Sequence, residues 1–270
     1  MTDIFDDLKA EYEQLDTVLA GLTPAEWSHP SAAEGWTVSD VVLHLAQAEE
    51  RAAASLAGED VTIRHEPATG DGLSGREPAT NGASGRESGR GESGRGVDAA
   101  AAAMVAAQRD IAPADLLARW RRAAFAIPDA LRAQPKGTRL SWVATSLSPA
   151  TLATTRLAEH WAHAYDITAP LGILYPDTSR LRHIAWLGHR TLPYAFDVAG
   201  VEGGPVCCEL TAPDGELWRF GDPAAASTIT GPAADFCRVG AHRLTPADST
   251  LKATGPHGAK ALAVLRNYAL

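Results

Sequence analysis

The stretch RLAEHWAHAYD, residues 156–166, decides how the rest of the chain is interpreted. Glu159, His163 and Asp166 follow one another at steps of four and three residues, and Arg156 precedes Glu159 by three. Side chains at this spacing share one face of an α-helix. Polar side chains of this kind are costly to bury without partners. Four such side chains on one helical face therefore indicate a functional site on this helix.

Glu159 and His163 could hold one metal ion, because side chains four residues apart on a helix lie within about one turn of each other. One helix supplies too few ligands, so a third is expected from a neighbouring helix. His44 is the candidate, since in VVLHLAQA it shares a face with apolar residues that should meet the core. Three such ligands leave coordination positions open, which is typical of a catalytic metal. Chance spacing and a hydrogen-bonded core histidine remain alternatives.

The composition of the 270-residue chain excludes several classes of protein. A net charge of −9 and a pI near 5.4 argue against nucleic-acid binding, which needs a basic face. No apolar run is long enough to cross a membrane, and the acidic N-terminus is unlike a signal peptide. The three cysteines, Cys207, Cys208 and Cys237, form no CxxC pair and are expected to be reduced. We therefore expect a cytoplasmic protein that binds neither nucleic acid nor membranes.

Hydrophobic periodicity divides the chain into two predicted domains. Helical patterns dominate residues 1–200, except for a Gly/Ser/Arg/Glu-rich insertion at 66–96 that should not fold into a core. Residues 178–196 are expected to form one helix. From 201–270 the pattern changes to short β-rich runs and two helices, with a hairpin signal at 213–215. The prediction is a helical bundle followed by a small α+β domain.

Two segments, GWTVSDVVLHLAQAEE (35–50) and RLAEHWAHAYDITAPLG (156–172), resemble the DinB-like family of mycothiol-dependent maleylpyruvate isomerases. The resemblance implies a mainly α fold, with a DinB-like four-helix bundle followed by a small α+β C-terminal domain. It also implies a divalent metal held by His44, Glu159 and His163. Zinc is the first expectation, and iron, nickel or manganese are alternatives.

Further site residues are expected around this metal. Asp166 is predicted to orient a ligand or a bound water. The tail resembles the C-terminal domain of the family, whose arginine is implicated in the isomerase reaction, and Arg243 is the nearest match. Arg243 and Arg156 are predicted to attract a carboxylate or an enolate of the substrate.

Aromatic residues are predicted to wall the site. Trp142 lies in segment 139–149, which is expected to be irregular and comes just before the metal-bearing helix, and it is the first choice for a substrate contact. Trp36 is a second predicted contact. His160 points about 100° away from the ligand stripe, so it should lie beside the ligands or at the surface.

Three functions remain open at this level. The resemblance favours a mycothiol-dependent isomerase or thiol transferase acting on a small electrophilic substrate, carbonyl or enoyl, with a low-molecular-weight thiol as partner. The same His/Glu/His set could serve a specialised-metabolism isomerase, a cyclase or a non-haem iron enzyme. The third function is a non-catalytic metal- or thiol-binding stress protein. The chain is expected to be a monomer or a homodimer.

Overall fold

The computed structural model describes residues 3–63, 90–143 and 145–267. Of the insertion predicted at 66–96, the last residues belong to a helix that begins at Arg90, and the others lie outside the described residues. In the described part of the chain, no helix combines the length and apolar character needed to cross a bilayer.

The elements follow one another in a mainly helical order. The helices are α1 (Ile4–Gly21), α2 (Pro24–Trp27), α3 (Val38–Leu56), α4 (Arg90–Ala106), α5 (Pro113–Arg132), α6 (Pro149–Thr168), α7 (Leu181–Arg190), α8 (Leu192–Ala199), α9 (Ala233–Gly240) and α10 (Gly255–Val264). The strands are β1 (Leu140–Trp142), β2 (Thr145–Leu147), β3 (Val206–Thr211), β4 (Leu217–Phe220), β5 (Ser227–Pro232) and β6 (Lys252–Thr254). Up to residue 96, α4 is described by its backbone alone.

Helices α1, α3, α5 and α6 pack together as a bundle, and the predicted mainly α fold with a small α+β C-terminal part is confirmed. The buried apolar side chains of the bundle recur at helical spacing, as Leu8, Tyr12, Leu15 and Leu19 do on α1. Their burial removes apolar surface from water and is the main source of stability for the bundle.

The two helices that carry the candidate ligands begin at well-defined caps. At the start of α3, the Thr37 side chain accepts from the N–H of Asp40, and the Asp40 carboxylate accepts from the N–H of Thr37 at 2.9 Å. At the start of α6, the Ser148 side chain accepts from the N–H of Thr151, and Pro149 occupies the first turn. These caps satisfy amide groups that would otherwise lack partners, so they fix where each helix begins.

The C-terminal sheet has the strand order β4-β3-β5-β6. Strands β3 and β4 form the predicted antiparallel hairpin around the turn at 213–215, β3 runs parallel to β5, and β5 runs antiparallel to β6. Helices α9 and α10 pack on this sheet. Helix α7 packs against both α6 and α9, so it joins the bundle to the sheet.

Two segments differ from the sequence-based expectation. The single helix expected at 178–196 is divided at Thr191 into α7 and α8. Pro193, in the first turn of α8, has no N–H to continue the helical bonding from α7. The segment 139–149, expected to be irregular, contains the antiparallel pair β1–β2, and Val143 at its turn has a φ of 35°.

A buried ion pair crosses the core between α3 and α6. The Arg156 Nε donates to Glu49 Oε1 at 2.8 Å, and both side chains are almost completely buried. His160 lies beside this pair, and Trp120 Nε1–H donates to its Nε2 at 3.1 Å. His160 Nε2 is therefore the acceptor, so Nδ1 carries the proton and donates to the carbonyl of Arg156 at 3.0 Å.

His160 is consequently a neutral core residue. Burial lowers the pKa of its imidazole well below the ordinary value, and the neighbouring charge of Arg156 adds to this. Its side chain is 0 % exposed, so the surface position considered from the sequence is wrong.

We expect Glu49→Leu to destabilise the protein by about 3–5 kcal/mol, because it leaves the guanidinium of Arg156 charged and unpaired in the core. The double variant Glu49→Leu/Arg156→Met should recover most of that loss, since it removes both charges. Urea unfolding of the three proteins measures the difference. A double variant as unstable as the single one would contradict the pairing.

Candidate metal centre

Three potential metal ligands meet where α3 passes α6. His44 extends from α3, whereas Glu159 and His163 lie one turn apart on α6. His44 Nε2 lies 2.9 Å from Glu159 Oε1, and His163 Nε2 lies 3.5 Å from the same oxygen. One ligand atom from each residue falls within 4.8 Å of the other two. We call these residues the three-donor cluster.

The spacing and chemistry of the three-donor cluster fit a single divalent ion. Ligand atoms about 2.0–2.2 Å from a tetrahedral zinc lie about 3.4 Å from one another, so small side-chain shifts would suffice. Two imidazoles and one carboxylate are a donor set that suits zinc and also non-haem iron. Metal binding by these residues stays a prediction, and the geometry identifies which ligand atoms would meet at the ion.

Asp166 supports His163 from behind. His163 Nδ1 lies 2.9 Å from Asp166 Oδ2, which favours the tautomer that carries its proton on Nδ1 and leaves Nε2 facing Glu159. Asp166 is almost completely buried on the last turn of α6. A carboxylate in this position fixes the orientation of the imidazole ring and raises its basicity as a ligand.

Arg243 reaches the same carboxylate from the C-terminal part of the chain. Its Nε donates to Asp166 Oδ1 at 2.8 Å and its Nη2 donates to Asp166 Oδ2 at 2.5 Å. Its Nη1 donates to the carbonyl of Ala241 at 2.7 Å. Bidentate guanidinium–carboxylate contacts are strong and directional. Arg243 therefore connects the C-terminal part to the site through Asp166.

The charges of the three-donor cluster follow from these contacts. Burial alone would lower the pKa of His163, but the hydrogen bonds to Asp166 and Glu159 outweigh it and raise the pKa to about 9. Burial would raise the pKa of Glu159, but hydrogen bonds from His163 and His44 hold it well below its usual range. Burial lowers the pKa of His44. Without metal, a protonated His163 thus faces an ionised Glu159 and a neutral His44.

The predicted tryptophans lie at different distances from the cluster. The ring centroid of Trp36 is 5.2 Å from that of His44 and 6.4 Å from that of His163, with the latter pair stacked. Trp142 instead lies against Arg156, whose guanidinium carbon is 5.1 Å from the indole centroid. Trp36 therefore packs directly against two members of the three-donor cluster. The substrate contacts predicted for Trp36 and Trp142 stay predictions.

Arg156 is part of the core pair described above. Its side chain is 3 % exposed, and its charge acts on Glu159 through the interior, where it helps to hold the carboxylate ionised. Contact between Arg156 and a substrate stays a prediction. For its partner Glu49, the sequence offers one weak signal, which is a carboxylate within an otherwise apolar helical face.

The cysteines of the chain take no part in this site. Cys207 and Cys208 lie on β3 and Cys237 on α9, and all three are free and buried. Burial raises the pKa of Cys208 to about 12, and it raises the pKa of Cys237 well above the usual value. These thiols remain protonated at neutral pH, so a thiolate at the three-donor cluster would have to come from another molecule.

Comparisons with known proteins place this geometry in a family context. The model of the mycothiol maleylpyruvate isomerase N-terminal domain matches residues 8–168. The matched range contains the three-donor cluster and Asp166, and it ends before Arg243.

Two similar proteins come from Mycobacterium tuberculosis, one from strain CDC 1551 and one from strain H37Rv, and both are uncharacterised. Each is 32% identical over 265 residues, covering 97% of this chain and 94% of the relative.

Two solved structures share the fold. The crystal structure of the mycothiol-dependent maleylpyruvate isomerase has a TM-score of 0.56 at 15% identity, covering 95% of this chain and 100% of the other. A histidine-to-alanine variant of that isomerase has a TM-score of 0.55 at 14% identity, with the same coverage. At these identities the likeness supports the DinB-like fold and nothing finer.

We expect protein freed of metal by chelation to lose stability as the pH rises from 6.5 to 9. The folded-state pKa of His163, about 9, lies above the unfolded value near 6.5, so its contribution is fully present below pH 6.5 and is lost through pH 9. The loss should be roughly 3 kcal/mol at most. Urea unfolding at several pH values, compared with His163→Gln, measures it. The same pH dependence in His163→Gln would contradict the assignment.

Proposed function

Because the chain belongs to the mycothiol maleylpyruvate isomerase N-terminal domain family, we propose that it is a metal-dependent enzyme that uses a low-molecular-weight thiol. The thiol is mycothiol, and the reaction is the isomerisation or thiolation of a small electrophilic carbonyl or enoyl substrate. The observation that carries the proposal is the three-donor cluster, with three ligand atoms within 4.8 Å of one another.

His44, Glu159 and His163 would hold the ion, and zinc is the first expectation for this donor set. When bound, such an ion leaves a coordination position open and lowers the pKa of a thiol there, so that the thiolate persists at neutral pH. The buried cysteines support an external thiol, since none of them lies on a helix that carries the three-donor cluster.

Around the ion, the side chains of the chain have distinct positioning roles. Asp166 accepts a hydrogen bond from Nδ1–H of His163, which keeps the lone pair of Nε2 available to the metal. Arg243 acts as a positioning residue, because its guanidinium contacts Asp166, and its contact with a carboxylate or enolate of the substrate stays a prediction. In the proposed division of the chain, residues 1–200 supply the ligands and residues 201–270 supply Arg243. The indole of Trp36 would shield the reacting atoms from water.

The reaction of the thiol with the substrate needs no oxidant or reductant. The sulfur of the thiolate forms a bond to the electrophilic carbon of an enoyl substrate, and the π electrons move to the conjugated carbonyl. Rotation about the resulting single bond, followed by expulsion of the thiolate, restores the double bond in the other configuration. If the adduct instead takes up a proton, the product is a thiol conjugate. Isomerisation therefore regenerates mycothiol, whereas conjugation leaves it in the product.

We expect the protein to bind one equivalent of divalent metal, and His44→Ala and His163→Ala to lose it together with mycothiol-dependent activity. Metal analysis and an absorbance assay with maleylpyruvate, with and without mycothiol, measure both. His183→Gln is the matched control, because His183 pairs with Asp7 at 2.8 Å outside the cluster. Iron in place of zinc would favour non-haem iron chemistry. A stoichiometric metal without any thiol-dependent reaction would contradict the proposal.

We expect Asp166→Asn to weaken zinc binding by about 10–100-fold, because the amide cannot hold the Nδ1 proton of His163 as a carboxylate does. Competition with a chromophoric chelator measures the affinity. Arg243→Gln should weaken binding less, since Asp166 itself remains. Unchanged zinc affinity in Asp166→Asn would show that this carboxylate does not support the ligand.

A further inference from the structure

A cavity of about 420 Å³ lies beside α3, on the side that faces α4 and α5. Gln47, Glu50 and Arg51 of α3 line it, together with Arg119 of α5 and residues 61–63. None of the three-donor cluster lines this cavity. Its volume is within the range of small-molecule sites, about 300–1,000 Å³.

Arg51 brings an unmatched positive charge to the cavity. Its Nη2 lies 3.1 Å from the Met104 sulfur, a weak acceptor, and no carboxylate among the described residues pairs with it. Arg119 differs, because Glu50 accepts from its Nε at 2.6 Å and from its Nη2 at 2.7 Å. Burial lowers the pKa of Arg51, and the charge of Arg156 lowers it further. An anionic ligand would supply this guanidinium with the partner that the described residues do not provide.

Gln47 adds an unpaired acceptor. Its Nε2 donates to the carbonyl of Met104 at 3.0 Å, which fixes the orientation of the amide. The other end, Oε1, is buried without a hydrogen-bond partner in the part of the chain that the structure describes, and the residue is only 5% exposed. Buried polar atoms are nearly always paired, so this oxygen calls for a donor.

The cavity is aligned with the three-donor cluster along α3. Gln47 and Arg51 come three and seven residues after His44, so all three residues share one face of the helix. At about 1.5 Å per residue, Arg51 begins about 10 Å from His44 along the axis. A ligand of modest length could therefore span both places.

We propose that Arg51 and Gln47 form a binding site for a carboxylate ligand that also presents an N–H or O–H donor. The carboxylate pairs with the guanidinium of Arg51, and the donor pairs with Gln47 Oε1. A carboxylate fits better than a phosphate, because among the described lining residues only Arg51 has a charge without an opposite partner, and the Glu50 carboxylate lies on the same cavity. Resting on the proposed function, this site would hold the acidic end of a substrate whose electrophilic carbon lies at the three-donor cluster.

The site is tested with N-acetylglycine titrated into metal-free protein and followed by calorimetry or protein NMR. Arg51→Gln should weaken binding at least tenfold, whereas Arg121→Gln should not, because Arg121 pairs with Asp16 elsewhere on the surface. Unchanged affinity in Arg51→Gln, or no binding to the wild type up to about 50 mM, would overturn the site.

The donor requirement is tested with levulinate, which replaces the N–H of N-acetylglycine by a methylene. The wild type should prefer N-acetylglycine, and Gln47→Leu should abolish that preference while keeping some affinity for both ligands. Equal affinity of the wild type for both ligands would overturn the role of Gln47.

Because these titrations use metal-free protein, they test the carboxylate site independently of zinc binding and of mycothiol-dependent activity. A failure of the proposed function can therefore be distinguished from a failure of this site. The substrate role is tested separately: Arg51→Gln should raise the KM of an acidic substrate at least tenfold and leave kcat unchanged. A fall in kcat with unchanged KM would overturn it.

Discussion

The buried pair between Glu49 and Arg156 fixes how α3 and α6 lie against each other. Glu49 follows His44 by five residues, and Arg156 precedes Glu159 by three, so the two helices run antiparallel with the ion pair and the three-donor cluster at successive levels. Because an unpaired charge in the core is so unfavourable, a slipped register between the helices would be destabilised. The same contact therefore favours one register of the two helices, and this register places His44 beside Glu159.

The site also depends on the C-terminal part of the chain. Arg243 contacts Asp166, and Asp166 contacts His163, so a hydrogen-bonded series leads from the C-terminal part to a candidate ligand. The sheet carries two of the three buried cysteines and offers no reactive thiol. Both features agree with the proposed function, in which the protein supplies the metal ligands and the residues that orient them. The nucleophilic sulfur then belongs to a separate thiol molecule.

Most of the helices and the candidate metal ligands could be predicted from local patterns in the sequence. The spacing of Glu159 and His163, the apolar face around His44 and the caps of α3 and α6 are all properties of short segments, so helices and ligand candidates could be predicted. Pairings between distant segments could not. Glu49 looks like any helical glutamate until α6 packs against it, and the partner of Arg243 is set by tertiary packing. The groups at Gln47 and Arg51 that have no matching partner among the described residues are likewise visible only once α4 and α5 are in place.

X-ray absorption at the zinc edge tests most directly whether three side chains hold one partly open ion. For zinc-loaded protein we expect nitrogen and oxygen neighbours at about 2.0–2.2 Å, including the signature of two imidazoles, and one added sulfur at about 2.3 Å once mycothiol is supplied. A spectrum without imidazole, or one that mycothiol leaves unchanged, would contradict this expectation.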